Sequence, residues 1–273
     1  MILKVLKKSW TYGLAIASFL FAIVPESCFS KIKVSKSWPK EWDIVAMRLI
    51  ICAVLIVSAC LIYWLYIRLR HYVTVSGKNY KIKVEYGDIL REKKGKKLIS
   101  FDECFTTKVG SETGEINAAS LCGKYLNLYP MSDEEMKNLL KTAGLKSLNE
   151  PSRYKSKTRY KPGSMILKDS YLLMAFTKLD ENGRSSMNYN DYLDCLSVMW
   201  KDIDDHYGLE DVYIPVLGAG TTKFEDWDPD QQELLNVIIE SYKLSRDKIK
   251  LPCKLHIVCS KRDGFSLNNI DMV

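Results

Sequence analysis

Histidine is scarce in this sequence, with three in 273 residues, and the eight cysteines include no CxxC pair. None of the usual zinc-ligand spacings is present, so no metal site is expected. Five of the cysteines (104, 122, 195, 253 and 259) fall after residue 71, an odd number, which reads as reduced thiols in a reducing compartment rather than a disulfide framework. Net charge is missing from most of the chain. The formal excess is +7, and the first 71 residues hold all of it, with ten Lys or Arg against three Asp or Glu. Residues 72–273 are neutral. A nucleic-acid-binding body would carry a basic face on its folded part, so no nucleic-acid partner is expected.

Charge is also absent from Leu49 to Ile67, "LIICAVLIVSACLIYWLYI". Nineteen residues at about 1.5 Å each span about 29 Å of helix, close to the ~30 Å hydrocarbon core of a bilayer. Arg48 and Arg68 close the ends, and Tyr63, Trp64 and Tyr66 cluster where an interfacial aromatic belt would lie. An earlier stretch, "WTYGLAIASFLFAIV" from Trp10 to Val24, is shorter and ends at Pro25. With Lys4, Lys7 and Lys8 before it, this segment has the outline of a signal peptide too, but no small-x-small cleavage site follows, and a retained helix is the expectation. Gly13 with Ala17, and Ser18 with Ala22, have the spacing that permits close helix approach. Two spans, about 10–28 and 44–67, form a hairpin within residues 1–71, joined by the short loop 25–43. The loop mixes Lys31, Lys33, Lys36 and Lys40 with Glu26, Glu41 and Asp43, whereas Arg68, Arg70, Lys78, Lys81 and Lys83 flank the outer end. That bias places both termini in the cytoplasm and the chain, multi-pass, in the plasma or inner membrane.

After a linker at 72–78 the pattern alternates. "NYKIKVEY" (79–86), "KKLISF" (96–101), "SYLLMAFTKL" (170–179), "DVYIPVLG" and "CKLHIVCS" (253–260) read as strands. Ser132 with Glu135 marks a capping box and a helix stopped by Gly144. Asn188 caps a second helix through about Tyr207, and a third starts at Asp228 with Pro229 in its first turn. The basic stretch 150–164 is a loop whose Arg153, Lys155, Lys157, Arg159 and Lys161 line an anion pocket, touch headgroups or stay solvated. Strands separated by helices imply an α/β sandwich, in which ligands bind at the carboxyl ends of the strands.

One such end carries "IPVLGAGTTKF", Ile214 to Phe224. The phosphate loop GxxxxGK[ST] does not fit it, and the dinucleotide fingerprint GxGxxG fails because Lys223 holds the place of the third glycine. Two readings remain. In one, Gly218 and Gly220 let the backbone approach a pyrophosphate, while Ala219, Thr221 and Thr222 present amides and hydroxyls beside the aromatic face of Phe224. In the other, the segment is a tight turn with Phe224 in the core.

"VEYGDIL" together with "IPVLGAGTTKF", in this order and about 130 residues apart, resembles the adenine and second phosphate motifs of macro domains. The resemblance covers 79–260 and implies a macro-domain-like three-layer α/β sandwich on a mixed sheet, 79–273, behind the transmembrane hairpin. It assigns Asp88 to the adenine amino group with Ile89 beside it, Leu217 and Gly218 to Lys223 to the diphosphate, and Phe224 to the distal ribose. "KLISFDECFTTKVG" and "SLCGKY" are similar to the first loop of diverged macro domains, which makes Asp102, Ser120 and Gly123 further ligand contacts, with Asp102 standing where the pattern has Asn. "INAAS" (116–120) lacks the final Asn and glycine run of catalytic macro domains, so no hydrolase role passes to Asn117.

Two N-terminal spans before such a domain resemble the effectors of type II Thoeris antiphage systems. That resemblance implies a TIR-domain partner enzyme making an ADP-ribose derivative, histidine-ADP-ribose in the known case. It further implies a sensor without catalysis, cofactor or metal, which forms homo-oligomers and disrupts the bilayer when the signal binds. Two alternatives stand beside it: a membrane-tethered hydrolase of ADP-ribose conjugates using Asp102, Glu103 or His206, and an anchored scaffold with a vestigial pocket.

Overall fold

A computed structural model describes residues 2–25, 39–261 and 265–270, without the side chains of residues 2–9 and of Lys40. Cys28 and most of the predicted 25–43 loop, with Lys31, Lys33 and Lys36, lie outside the described residues. The chain divides into two units, Met1–Arg70 and His71–Val273.

The first unit is built from α1 (Ile2–Ile23) and α2 (Lys40–Arg68), which pack on one another. The first span ends at Ile23, before Pro25, rather than near 28, and α2 extends beyond 44–67 at both ends. Of the two small-residue pairs, Gly13 and Ala17 make the contact. Ala17 is fully buried, and a Cβ on Gly13 would sit 2.9 Å from Ile56 Cγ1. Ser18 and Ala22 are not buried. The Arg48 guanidinium lies 5.8 Å from the centre of the Phe21 ring. Glu41–Arg68 is long and apolar enough to cross a membrane, and Trp10–Ile23 is a shorter apolar helix.

Among its described residues the second unit holds nine strands: β1 (Tyr72–Ser76), β2 (Lys81–Tyr86), β3 (Lys96–Asp102), β4 (Met165–Lys168), β5 (Tyr171–Leu179), β6 (Ser185–Met187), β7 (Val212–Pro215), β8 (Lys223–Phe224) and β9 (Leu255–Cys259). They form one mixed sheet in the order β1-β2-β9-β7-β3-β5-β6-β8, with β4 on β5. The middle run β2, β9, β7, β3 and β5 is parallel throughout. β1 is antiparallel to β2, and β4 and β6 are antiparallel to β5, while β8 is parallel to β6. Burial follows position in the sheet. β9, paired on both sides, is buried at all five residues, as a central parallel strand must be.

Four helices make the outer layers: α3 (Leu121–Leu128), α4 (Asp133–Thr142), α5 (Tyr189–His206) and α6 (Gln231–Leu244). Leu98, Met174, Ile214 and Ile257 share a core with α5 and α6, while Ile99, Phe101, Leu173 and Ala175 share one with α3 and α4. The unit is therefore a three-layer α/β sandwich on a mixed sheet.

Two boundaries differ from the sequence reading. Residues 72–76 are strand β1 rather than linker, because Val73 and Val75 alternate with polar residues and are buried on pairing with β2. α6 starts at Gln231, not at Asp228. Asp230 and Glu233 close a reciprocal capping box, which satisfies two orphan donors that Asp228 and Pro229 do not.

Candidate ligand site at the carboxyl edge

Because β2, β9, β7 and β3 are parallel, the segments that follow them emerge at one edge of the sheet. Asp88 follows β2, residues 260 and 261 follow β9, the glycine loop follows β7, and Asp102 closes β3. Neighbouring strands lie about 4.8 Å apart, so the ends of β2 and β7, with β9 between them, are about 10 Å from one another.

The glycine loop lines a cavity of about 950 Å³, to which every residue from Gly218 to Phe224 contributes. Gly218 has φ of +82°, a conformation glycine adopts without penalty, and a Cβ there would stand 2.8 Å from Phe224 Cζ. Ala219 N–H donates to Val216 O at 3.3 Å. Among the described residues the amides of Gly218, Gly220, Thr221 and Thr222 donate to no acceptor. Phe224 satisfies both sequence readings. Its ring packs edge-on against Tyr192 (5.6 Å) and Trp227 (5.2 Å), at the margin of the core, and it still faces the cavity.

Leu217 differs from expectation. Its side chain is buried in the core and its carbonyl accepts from the Tyr192 hydroxyl at 3.1 Å, so the lining begins at Gly218. The same apolar character that ends strand β7 draws it inward.

At the β2 end, Asp88 caps a short 3-10 turn, Ile89–Arg91, by accepting from Leu90 N at 3.1 Å, and Arg91 Nε lies 3.5 Å from its other oxygen. Its carboxylate remains half exposed. Ile89 is buried, and with Tyr213, Val258 and Leu121 it forms a small apolar cluster. That cluster joins the β2 end to the start of α3, whose N-cap is Ser120. Asp88, Ile89 and Ser120 thus share one region of the edge, outside the lining of the cavity.

The first loop departs furthest from the predicted contacts. Asp102 is buried, and its Oδ1 accepts from Cys104 N at 2.8 Å and Thr106 N at 3.2 Å. Desolvation raises its pKa against the pull of those hydrogen bonds. Asp102 is thus an enclosed carboxylate already holding a turn, where the resemblance has it facing a ligand. Ser120 Oγ accepts from Gly123 N at 3.0 Å and donates to Asn117 O at 2.6 Å. Gly123 lies under that loop, where a Cβ would come within 2.2 Å of Asn117 O. The residues nominated for hydrolysis are not assembled. Glu103 is buried against Ser152 Oγ (2.6 Å), while His206 Nδ1 contacts Asp202 O (2.7 Å) at the end of α5, which leads into the start of β7 at the opposite edge. Burial and Asp102 together push the Cys104 thiol up to about 12, which removes it as a nucleophile. Among the described residues no group of His, Cys, Asp and Glu could hold a metal ion.

The sequence reading missed the rest of the cavity wall, which includes Glu225, Asp226, Trp227, Asp228, Asp230 and, from beyond β9, Phe265. The signal for the first group was the run "EDWDPD" directly after the loop, a tryptophan between acids. Phe265 carried none, since only the fold returns it to this edge. Asp226 accepts from Tyr189 N and Asp230 caps α6, which leaves Glu225 and Asp228 as the carboxylates with no hydrogen-bond partner among the described residues.

A mixed sheet between two helical layers, with a glycine loop lining a cavity at the carboxyl edge, is the architecture of a macro domain. Residues 82–260, about two thirds of the chain, match the family described as Thoeris protein ThsA, Macro domain. The chain belongs to that family. It is 29% identical over 232 residues to Thoeris protein ThsA of Bacillus amyloliquefaciens (strain Y2), covering 81% of this chain and 77% of that protein. Among solved structures it is similar to a mutant Oceanobacillus iheyensis macrodomain, with a TM-score of 0.44 and 8% identity, covering 71% of this chain and 91% of that one. The Oceanobacillus iheyensis macrodomain with ADP gives a TM-score of 0.42 and 10% identity, covering 70% and 89%.

Proposed function

We propose that the sheet unit is the sensor of an antiphage effector and that its cavity takes an ADP-ribose-type ligand. The observation that carries this reading is the set of four loop amides, at Gly218, Gly220, Thr221 and Thr222, with no acceptor among the described residues, beside a cavity of about 950 Å³. Amides without partners favour an anionic group, which accepts their hydrogen bonds without displacing any made within the protein. Phe224 and Trp227 offer aromatic surface for a ribose or base, and Asp88, half exposed two strands away, suits an adenine amino group.

The carboxylates bear on the other end of the ligand. Lys223 is the one cation among the described residues that line the cavity, alongside Glu225, Asp226, Asp228 and Asp230. A wall of that sign disfavours further phosphates and favours a terminal group carrying a proton-bearing nitrogen, as in histidine-ADP-ribose made by a TIR-domain partner. Binding then drives assembly of copies and disruption of the bilayer by the two N-terminal helices, with arrest or death of the infected cell. A ligand has this effect only if it binds the assembled state more tightly than the resting one.

The reading is tested by calorimetry of the full chain in lipid nanodiscs with ADP-ribose and histidine-ADP-ribose, and by dye leakage from vesicles. Asp88→Ala and Phe224→Ala are each expected to weaken binding at least tenfold and to abolish ligand-dependent leakage. Full leakage with both substitutions, or turnover of the ligand by the intact chain, sinks the sensor assignment.

A further inference from the structure

β1 runs antiparallel to β2, with Tyr72 opposite Glu85, so the sheet unit begins at the same carboxyl edge as the cavity. His71 is its first residue, three positions after the end of α2 at Arg68. At this edge Tyr86, the last residue of β2, makes contacts in two directions. Its main-chain N–H donates to His71 O at 3.3 Å. Its ring meets that of Phe265 edge to face, with centroids 5.8 Å apart at 89°, and Phe265 lines the cavity. Lys261 Nζ also lies 5.8 Å from the centre of the Tyr86 ring.

We propose that Tyr86 couples occupancy of the cavity to the start of β1, where the membrane segment joins the sheet. The proposal rests on the ligand reading above and adds its route of transmission. A ligand seated against Phe265 displaces that ring, the edge-to-face contact carries the displacement to Tyr86, and the Tyr86 N–H to His71 O bond lengthens or shortens in response. The bond is suited to this. At 3.3 Å it is longer than the usual range for an N–H···O bond, so it contributes weakly and yields to a small shift. Tyr86 is registered with Cys259 of β9, so the difference from the rest of β2 lies on the β1 side. Ile82 and Val84 are buried and paired on both sides, with β1 and β9, and a displacement at the edge is not transmitted through them. By linkage, whatever ADP-ribose does to the His71 end, a constraint at that end does in equal measure to ADP-ribose affinity.

The test uses the full chain in nanodiscs with ADP-ribose as the probe, measuring calorimetric affinity and hydrogen–deuterium exchange over residues 71–86. Saturating ADP-ribose is expected to change exchange at the Tyr86 amide and in β1 by about fivefold or more, the lower end of ordinary coupling. Tyr86→Leu is expected to bind within about threefold of the parent and to lose that change, while Tyr86→Phe keeps it. If the parent chain binds ADP-ribose and residues 71–86 do not respond, or if Tyr86→Leu responds in full, the coupling is wrong and the ligand reading stands. No binding by the parent chain removes both. Should Tyr86→Leu not fold, judged by its melting transition, Phe265→Leu decides: the exchange response is expected to fall further than occupancy at saturating ADP-ribose, and an undiminished response overturns the route.

Discussion

Two loops leave adjacent parallel strands at the same edge and differ in what they do with their polar groups. After β3, Asp102 accepts from Cys104 N and Thr106 N, Asn117 Oδ1 accepts from Ala119 N at 2.8 Å, and Ser120 ties Asn117 O to Gly123 N. After β7, one internal bond, Ala219 N to Val216 O, closes the turn, and four amides and two threonine hydroxyls have no partner among the described residues. The first loop ties part of its backbone with its own Asp, Asn and Ser side chains, which compete for backbone donors wherever they stand two or three residues away, although the amides of Thr107, Ser111, Thr113 and Gly114 and the buried Thr106 hydroxyl have no partner among the described residues. The second holds no such side chain between Gly218 and Lys223 except its threonines. Side chains that take up a loop's own amides serve its architecture, whereas after β7 four of the five successive amides from Gly218 to Thr222 are open in residues that line the cavity, where a ligand gains most.

The largest expected effect comes from Phe224→Ala. Its ring is half-buried against Gly218, Tyr192 and Trp227, and its loss should lower stability by about 2 kcal/mol, below the 3–5 of a fully buried Phe. Thermal unfolding of the full chain in detergent checks the size. Next is Gly218→Ala, which combines a positive φ with a Cβ 2.8 Å from Phe224 Cζ and should cost about 1–3 kcal/mol. Combining the two sharpens the comparison. Removing the ring removes the clash, so the double variant should be more stable than the sum of the single costs predicts, while the strain of a positive φ remains.

On the other side of the comparison, Gly123→Ala places a Cβ within 2.2 Å of Asn117 O, a main-chain atom that cannot rotate away. Overpacking of about 1–3 kcal/mol is partly offset by the better helix propensity of Ala, so a net loss of about 1 kcal/mol is expected. ADP-ribose affinity should stay within about threefold. A tenfold loss of affinity with an unchanged melting transition would mean that the first loop is ligand surface after all, and the contrast between the loops would collapse.

These differences mark what the sequence could reveal. Strand and helix identity was legible where burial is periodic or continuous, as in "NYKIKVEY" and "SYLLMAFTKL", and the capping box at Ser132 and Glu135 formed as expected. Short strands were not, because β6 and β8, at three residues and two, have too little length for a period to show. β1 was hidden by its position: five residues after a long apolar helix read as a tether until pairing with β2 buries Val73 and Val75. For the site, the glycine loop was visible because φ above zero and close approach require glycine. The burial of Asp102 was not legible, because an aspartate that faces a ligand and one that holds its own turn have the same letter.

Asp102→Asn tests that distinction through pH. Desolvation raises the native pKa of Asp102 above its unfolded value. Such a group contributes stability below the unfolded pKa that is lost as pH rises through the native one. The asparagine keeps an acceptor for Cys104 N and Thr106 N and carries no charge. Asp102→Asn should therefore be the more stable protein at pH 7, by less than about 1 kcal/mol since the new amide N–H groups need partners of their own. Its advantage should shrink as the pH falls toward about 4, the ordinary range of Asp. Urea unfolding at the two pH values checks the sign.

The smallest effect is the most telling about the open loop. A Cβ on Gly220 would meet nothing within 4 Å, and its φ is not positive. Gly220→Ala should therefore leave the melting transition within about 0.5 kcal/mol of the parent, or raise it slightly by restricting the unfolded chain. Its effect on a ligand is a separate matter. Gly220 is exposed at the wall of the cavity between Ala219 and Thr221, which also line it, and a methyl group there would stand where a ligand approaches. A neutral change in stability with at least a tenfold loss of ADP-ribose affinity would show that glycine is present for the approach of a ligand. Unchanged affinity would show that the backbone at 220 is not approached at all, and the diphosphate would then have to lie nearer Gly218 and Phe224.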